Sequence, residues 1–209
     1  MRCMMTLWGA VAIAALALGC KSKDQAPAEP AAKPAAETAA KPAAPAPGGA
    51  PIAIEAENFK NNVKKGALGW VLVTKPEGFS GKGAMQAMPN DNVNNDTGFV
   101  EDSPRLDYDV DFPKAGTYTV WVRGWGETEE DNSCHVGLDG KEVETSDRIA
   151  EFSAEWAWVK DTKDGEDAVI KVAAPGKHIL NVWMREDGFI LDKIVLSPDP
   201  KFAPTGKGP

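Results

Sequence analysis

Carboxylates in unusual places are the side chains of this 209-residue chain best placed to do chemistry. Asn181 to Ser197 reads NVWMREDGFILDKIVLS. Two apolar strand-like runs, Val182 to Met184 and Phe189 to Leu196, flank a tight polar turn, Arg185-Glu186-Asp187-Gly188, whose glycine is free to take positive φ. Side chains of one strand face recur every second residue, so Asp192 shares a row with Ile190, Ile194 and Leu196. A carboxylate on a core-facing row needs a partner, because an unpaired buried charge is strongly unfavourable or takes up a proton. Asp192 therefore either binds a cation or lies at the rim of the core, where hydrogen bonds reach it. Near residue 50 the segment Ile52-Ala53-Ile54-Glu55-Ala56-Glu57 alternates in the same way and sets Glu55 and Glu57 together on one face. Two such carboxylates repel unless a cation or bases separate them; the alternative is a solvated edge strand. Asn90-Asp91-Asn92 and Asn94-Asn95-Asp96 crowd oxygens and amides together, either as turn chemistry or as the lining of a polyol or cation site. They lack the fixed offsets of an EF-hand loop.

Other chemistries find little support. Only His135 and His178 are present, with no nucleophile motif and no His/Cys cluster suited to zinc. Paired acids are plentiful enough for glycoside hydrolysis on composition alone, but the domain is small and turns or a metal account for its acids, so catalysis is not expected. Between Pro51 and Asp199 there are 16 basic and 28 acidic side chains, a net charge of −12. That surface does not suit a phosphate backbone and excludes nucleic acid as a partner; a neutral sugar, a cation or another protein suits it. Cys134 is the one cysteine of this region, which predicts a small buried residue and no internal disulfide.

The elements that must position these groups are short strands. Gly69 to Thr74 is an apolar strand, and Lys75 to Gly98, rich in Gly, Pro, Asn and Asp, reads as loop. Arg105 to Phe112 alternates Leu106, Tyr108, Val110 and Phe112 with Asp107, Asp109 and Asp111, one face apolar and one wet. Thr117 to Trp125 follows the Pro113–Gly116 turn. After the acidic loop Glu127 to Asn132, Ser133 to Leu138 closes on Asp139-Gly140, a hairpin signal. A strand beginning at Trp156, then Ala168 to Val172, His178 to Met184 and the stretch above complete the set. Nothing between Ile52 and Leu196 keeps a 3.6-residue period over three turns, which predicts an all-β, single-domain antiparallel β-sandwich or jelly roll over 51–200. Residues 201–209 are expected as a flexible tail.

Residues 1–19 read as a lipoprotein signal peptide: Arg2, the apolar run Leu7 to Leu18, and Gly19 directly before Cys20. Cys20 is then the lipidated residue, although Ala17 stands where a leucine is preferred. Residues 21 to 50 hold twelve alanines and six prolines and make, with Cys20, a disordered tether. These features predict a monomeric, lipid-anchored protein of the bacterial cell envelope, at the outer membrane or the cell surface.

Taken in order, Ile54-Glu55-Ala56-Glu57, Lys114-Ala115-Gly116-Thr117-Tyr118, Trp156-Ala157-Trp158, Pro175-Gly176-Lys177-His178 and Leu191-Asp192-Lys193-Ile194 resemble the family 6, family 35 and malectin-like carbohydrate-binding modules. The closest resemblance is to the C-terminal module of family 115 glycoside hydrolases, where an Arg-Glu-Asp-Gly turn precedes a final strand. No catalytic domain accompanies it in this sequence. The resemblance implies a non-catalytic module that holds an oligo- or polysaccharide. It also implies a structural calcium held by Glu55, Glu57 and Asp192, and a ligand site with an exposed aromatic, Trp156 or Trp158, with Trp125 a second candidate. Arg123, Asn132, Arg185, Glu186 and Asp187 would supply hydrogen bonds. The alternative is a structural or protein-interaction domain that keeps the sandwich without the sugar site.

Overall fold

Twelve strands, none longer than ten residues, follow from these alternating runs. The computed structural model describes residues 49–209; the signal peptide, Cys20 and nearly all of the tether lie outside the described residues. The strands are β1 (Ile52–Glu55), β2 (Asn61–Val63), β3 (Gly69–Val73), β4 (Ala84–Met88), β5 (Arg105–Phe112), β6 (Gly116–Trp125), β7 (Cys134–Leu138), β8 (Lys141–Glu142), β9 (Ala157–Val159), β10 (Val169–Val172), β11 (Gly176–Met184) and β12 (Ile190–Ser197). The described helix is one short turn, Phe99–Asp102.

Two antiparallel sheets result. The larger runs β10-β6-β12-β4-β3, with β9 also on β6 and β1 also on β12; the smaller runs β2-β5-β11-β7-β8. Alternation fills the space between them. Leu106, Tyr108, Val110 and Phe112 of β5 and Leu180 and Val182 of β11 meet Tyr118, Val120 and Val122 of β6 and Leu191, Ile194 and Leu196 of β12. Each such side chain contributes about 1.5–3 kcal/mol on burial. Cys134 is buried and free, and burial pushes its thiol pKa far up, so it is an inert core residue.

Several sequence expectations change here. The loop expected from Lys75 to Gly98 contains β4, a strand paired on both sides, with β3 and β12. Ala84-Met85-Gln86-Ala87-Met88 carries no β-branched residue, so nothing in its composition announces a strand. β1 ends at Glu55, and Ala56–Asn58 is a 3-10 turn, so Glu55 and Glu57 do not share a strand face. The row Ile190, Asp192, Ile194, Leu196 is broken as well. β12 pairs Leu191 with Gly124 and Lys193 with Arg123, leaving Asp192 as the extra residue of a bulge. Leu191, Ile194 and Leu196 face the core, while Lys193 and Val195 face outward with Arg123 and Trp121 of β6.

Residues 201–209, expected as a flexible tail, are hydrogen-bonded to the domain. Gly206 O accepts from Arg123 Nε and Trp158 Nε1, both at 3.1 Å, and Lys193 Nζ donates to the carbonyls of Lys207 (3.0 Å) and Pro209 (2.9 Å). Gly208 lies at φ +73°, where a Cβ would stand 2.6 Å from the Trp158 ring, so only glycine lets the chain pass there.

Candidate functional site

The outer face of the larger sheet carries tryptophan on neighbouring strands. Val122 and Gly124 point inward, so Trp121, Arg123 and Trp125 of β6 point out. Ala157 and Val159 pack on the core, so Trp156, just before β9, and Trp158 point out as well. Both expected tryptophans thus share the outer face, but their surroundings differ. Trp158 is half-buried against the 206–208 backbone. Trp156 donates from Nε1 to Glu77 O at 3.0 Å and lies under the Arg123 guanidinium, 5.1 Å from the ring centroid. Trp125 meets Trp156 edge-on at 5.7 Å and donates to Glu127 Oε2 at 2.8 Å. Trp125 and Trp156, both half-buried, form a ridge at the end of the sheet.

Amide and acid side chains gather at two glycines, Gly126 next to the ridge and Gly188 in the turn before β12. Gly126 follows Trp125, and its Cβ position lies 2.8 Å from Asn132. Gly188, at φ +84°, has Asn90 and Asp131 each 2.5 Å from where a Cβ would stand, and Gln86 Nε2 donates to its carbonyl at 3.0 Å. Asp131 and Gln86 were not singled out from the sequence. Asn90 belongs to the Asn90–Asn92 run, read there as turn chemistry or the lining of a polyol or cation site.

The charged turn between β11 and β12 lies beneath these loops. Arg185 is 5% exposed, Glu186 3% and Asp187 0%, which corrects their expected role as sugar contacts. Asp187 accepts from the backbone N–H of Asp91 (2.7 Å) and Val93 (2.8 Å). Glu186 accepts from Asn132 N (2.9 Å), Ser133 Oγ (2.6 Å) and Asn94 Nδ2 (3.0 Å), and pairs with Arg185 at 2.5 Å. Arg185 also donates to Asp96 and Ser133. Burial alone would raise the Asp96 pKa, but Arg185 holds that carboxyl below its ordinary value. The turn thus fixes loops 90–96 and 131–133, the loops that carry Asn90 and Asn132.

His135 of β7 serves the same loops. It stacks on Phe99 at 3.7 Å, accepts at Nδ1 from Arg148 N (3.1 Å), and bonds through Nε2 to Asn95 O (2.9 Å). A carbonyl on one nitrogen and an N–H on the other require the neutral imidazole with its proton on Nε2. Burial accordingly holds its pKa down to about 4.

The carboxylates expected to hold calcium converge on one loop. Ser80 N donates to Asp192 Oδ1 at 2.7 Å, Ser80 Oγ bonds both Glu55 Oε2 (2.5 Å) and Asp192 Oδ2 (3.2 Å), and Lys82 N donates to Glu57 Oε1 at 2.7 Å. They do not form an ion shell. Asp192 Oδ2 takes Arg123 Nη1 at 2.5 Å, and Glu55 Oε1 takes Lys193 Nζ at 2.7 Å. Among the described residues no group of three His, Cys, Asp or Glu is placed to hold a metal. Calcium takes six to eight oxygens, and these three side chains do not fit it as arranged. Arg123, 6% exposed, is committed to this cluster; it also donates to Gly78 O and Gly206 O.

Two antiparallel sheets packed on one core, with a tryptophan ridge at one end, make an all-β sandwich. The chain belongs to the glycosyl hydrolase family 115 C-terminal domain family, whose model matches residues 48–209; the domain therefore runs past residue 200 and includes the tail. Uncharacterized protein P23 of Formosa agariphila is 36% identical over 113 residues, 50% of this chain and 27% of that protein. The chain thus corresponds to about a quarter of that relative's length. Among solved structures it is similar to a family 35 carbohydrate-binding module from Clostridium thermocellum (15% identity, 71% of this chain and 98% of that one, TM-score 0.48). The corresponding figures for the family 35 module of Paenibacillus barcinonensis are 15%, 70%, 98% and 0.49.

Proposed function

We propose that this domain binds a glycan without turning it over, and that Trp125 is the aromatic contact. The supporting observation is the Trp125–Trp156 ridge, with Asn132 beside Gly126 and Gln86 across Ile190 from Trp125. An indole face suits the C–H face of a sugar ring, and planar amides suit its hydroxyls. Glu186 and Asp187 are buried with backbone N–H groups on their oxygens, so they serve as supports and not as acid and base. The net charge of −12 between Pro51 and Asp199 favours neutral glycans. Affinity electrophoresis of the full chain through gels containing soluble polysaccharides tests the reading. Retardation by at least one polysaccharide is expected, and Trp125→Ala should abolish it without a change in fold.

A second reading, a protein-interaction domain without a sugar site, is favoured by the tail lying against Trp158. It predicts no retardation by any polysaccharide and a specific partner on pull-down. Attachment to the bacterial envelope as a monomer through lipid on Cys20 belongs to the same proposal. Labelled palmitate should be incorporated by the full chain and not by Cys20→Ala.

A further inference from the structure

The cluster at Glu55, Glu57 and Asp192 permits a charge count. Three carboxylates carry −3, and Arg123 and Lys193 together carry +2, as much as one divalent ion, which leaves −1. The oxygens can be counted as well. Both of Glu55 are taken by Lys193 and Ser80, and both of Asp192 by Ser80 and Arg123. Glu57 Oε1 is taken by Lys82 N. Of these six carboxylate oxygens, Glu57 Oε2 is the one buried with no partner among the described residues.

We infer that Arg123 and Lys193 jointly stand in the place of a calcium ion, so that this domain folds independently of metal where its resemblance implies calcium. An ion bridging these carboxylates would tie β1, β12 and the Ser80 loop together. The two side chains make those ties and add others. Arg123 also holds Gly78 O and Gly206 O, and Lys193 holds the carbonyls of Lys207 and Pro209. Neutralisation by side chains thus fastens the 78–80 loop and the tail to the same cluster. A guanidinium 2.5 Å from Asp192 also repels any incoming cation. The inference does not depend on whether the ridge binds a glycan.

Melting curves of the full chain, with chelator and with millimolar calcium, provide the test. The unmodified protein should melt at one temperature under both conditions. Arg123→Met leaves Asp192 buried without its cation and should melt roughly 10 °C lower in chelator. Calcium should restore part of that loss, because the variant presents the carboxylates to an ion. If Arg123→Met does not fold, Lys193→Gln makes the same comparison at Glu55, which is nearer the surface. A drop in the unmodified protein's melting temperature on chelation would overturn the inference. So would variants that melt lower yet ignore calcium, since their carboxylates would then form no cation site at all.

Discussion

The charged turn Arg185–Gly188 and the tryptophan ridge beside it exchange the roles that their residue types suggest. The turn carries three ionisable side chains in a row, and all three are buried. The ridge carries large aromatics, and they lie on the outer face of the sheet. Residue type therefore does not fix exposure; parity within a strand and the supply of hydrogen-bond partners do. Trp156 and Trp158 point outward because Ala157 and Val159, which alternate with them, are the small and β-branched residues that pack on the core. Glu186 and Asp187 can lie inside because backbone N–H groups of loops 90–96 and 131–133 meet their oxygens, together with Arg185. The buried turn shapes the loops, and the half-buried ridge lies on the outer face of the sheet.

The largest expected effect is on the turn. Arg185→Met leaves Glu186 buried without its cation and should cost about 3–5 kcal/mol of stability, read from denaturant unfolding. A cost below about 1 kcal/mol would place the pair at an ordinary surface. Protonation of His135 comes next. Its folded pKa is depressed to about 4 from an ordinary 6.5, so the unfolded chain takes up a proton that the folded state resists. Stability is full above pH 6.5 and should fall as pH drops towards 4, by about 3 kcal/mol at most. His135→Gln should flatten that part of the stability–pH profile. Asp187→Ala, which releases the Asp91 and Val93 amides, should cost about 2 kcal/mol and increase hydrogen exchange across 90–93. The smallest stability change belongs to the ridge. Trp125→Ala should cost about 1 kcal/mol while removing binding, the inverse of the turn variants.

Much of the scaffold was legible in the sequence. β5, with its four apolar and three aspartate positions, has the predicted bounds, and the strands at β6, β7, β10 and β11 fall within a few residues of expectation. The parts that were not legible have identifiable causes. β4 has neither β-branched nor aromatic residues; its place is set by pairing with β3 and β12, which is tertiary information. The outward setting of Lys193 depends on the bulge at Asp192, which shifts the strand's parity by one and leaves no mark in an apolar-polar pattern. For the candidate site, the sequence singled out Trp125, Trp156 and Asn132, which the structure brings to one end of the larger sheet. Arg123 and the turn residues also came from the sequence, but the structure shows them buried on internal partners, and Trp158 lies half-buried against the tail. That distinction depended on where the tail and loop 75–80 lie, and local periodicity does not encode it.

Binding by the full chain and its Trp125→Ala and Trp158→Ala variants, each against a polysaccharide that retards the unmodified protein, tests the central claim most directly. A loss of at least tenfold in affinity, about 1.4 kcal/mol or more, is expected for Trp125→Ala, with a melting temperature lowered by only about 2–4 °C. Trp158→Ala, which removes a residue against the tail, should keep its affinity. Undiminished binding by Trp125→Ala, or loss confined to Trp158→Ala, would contradict that claim.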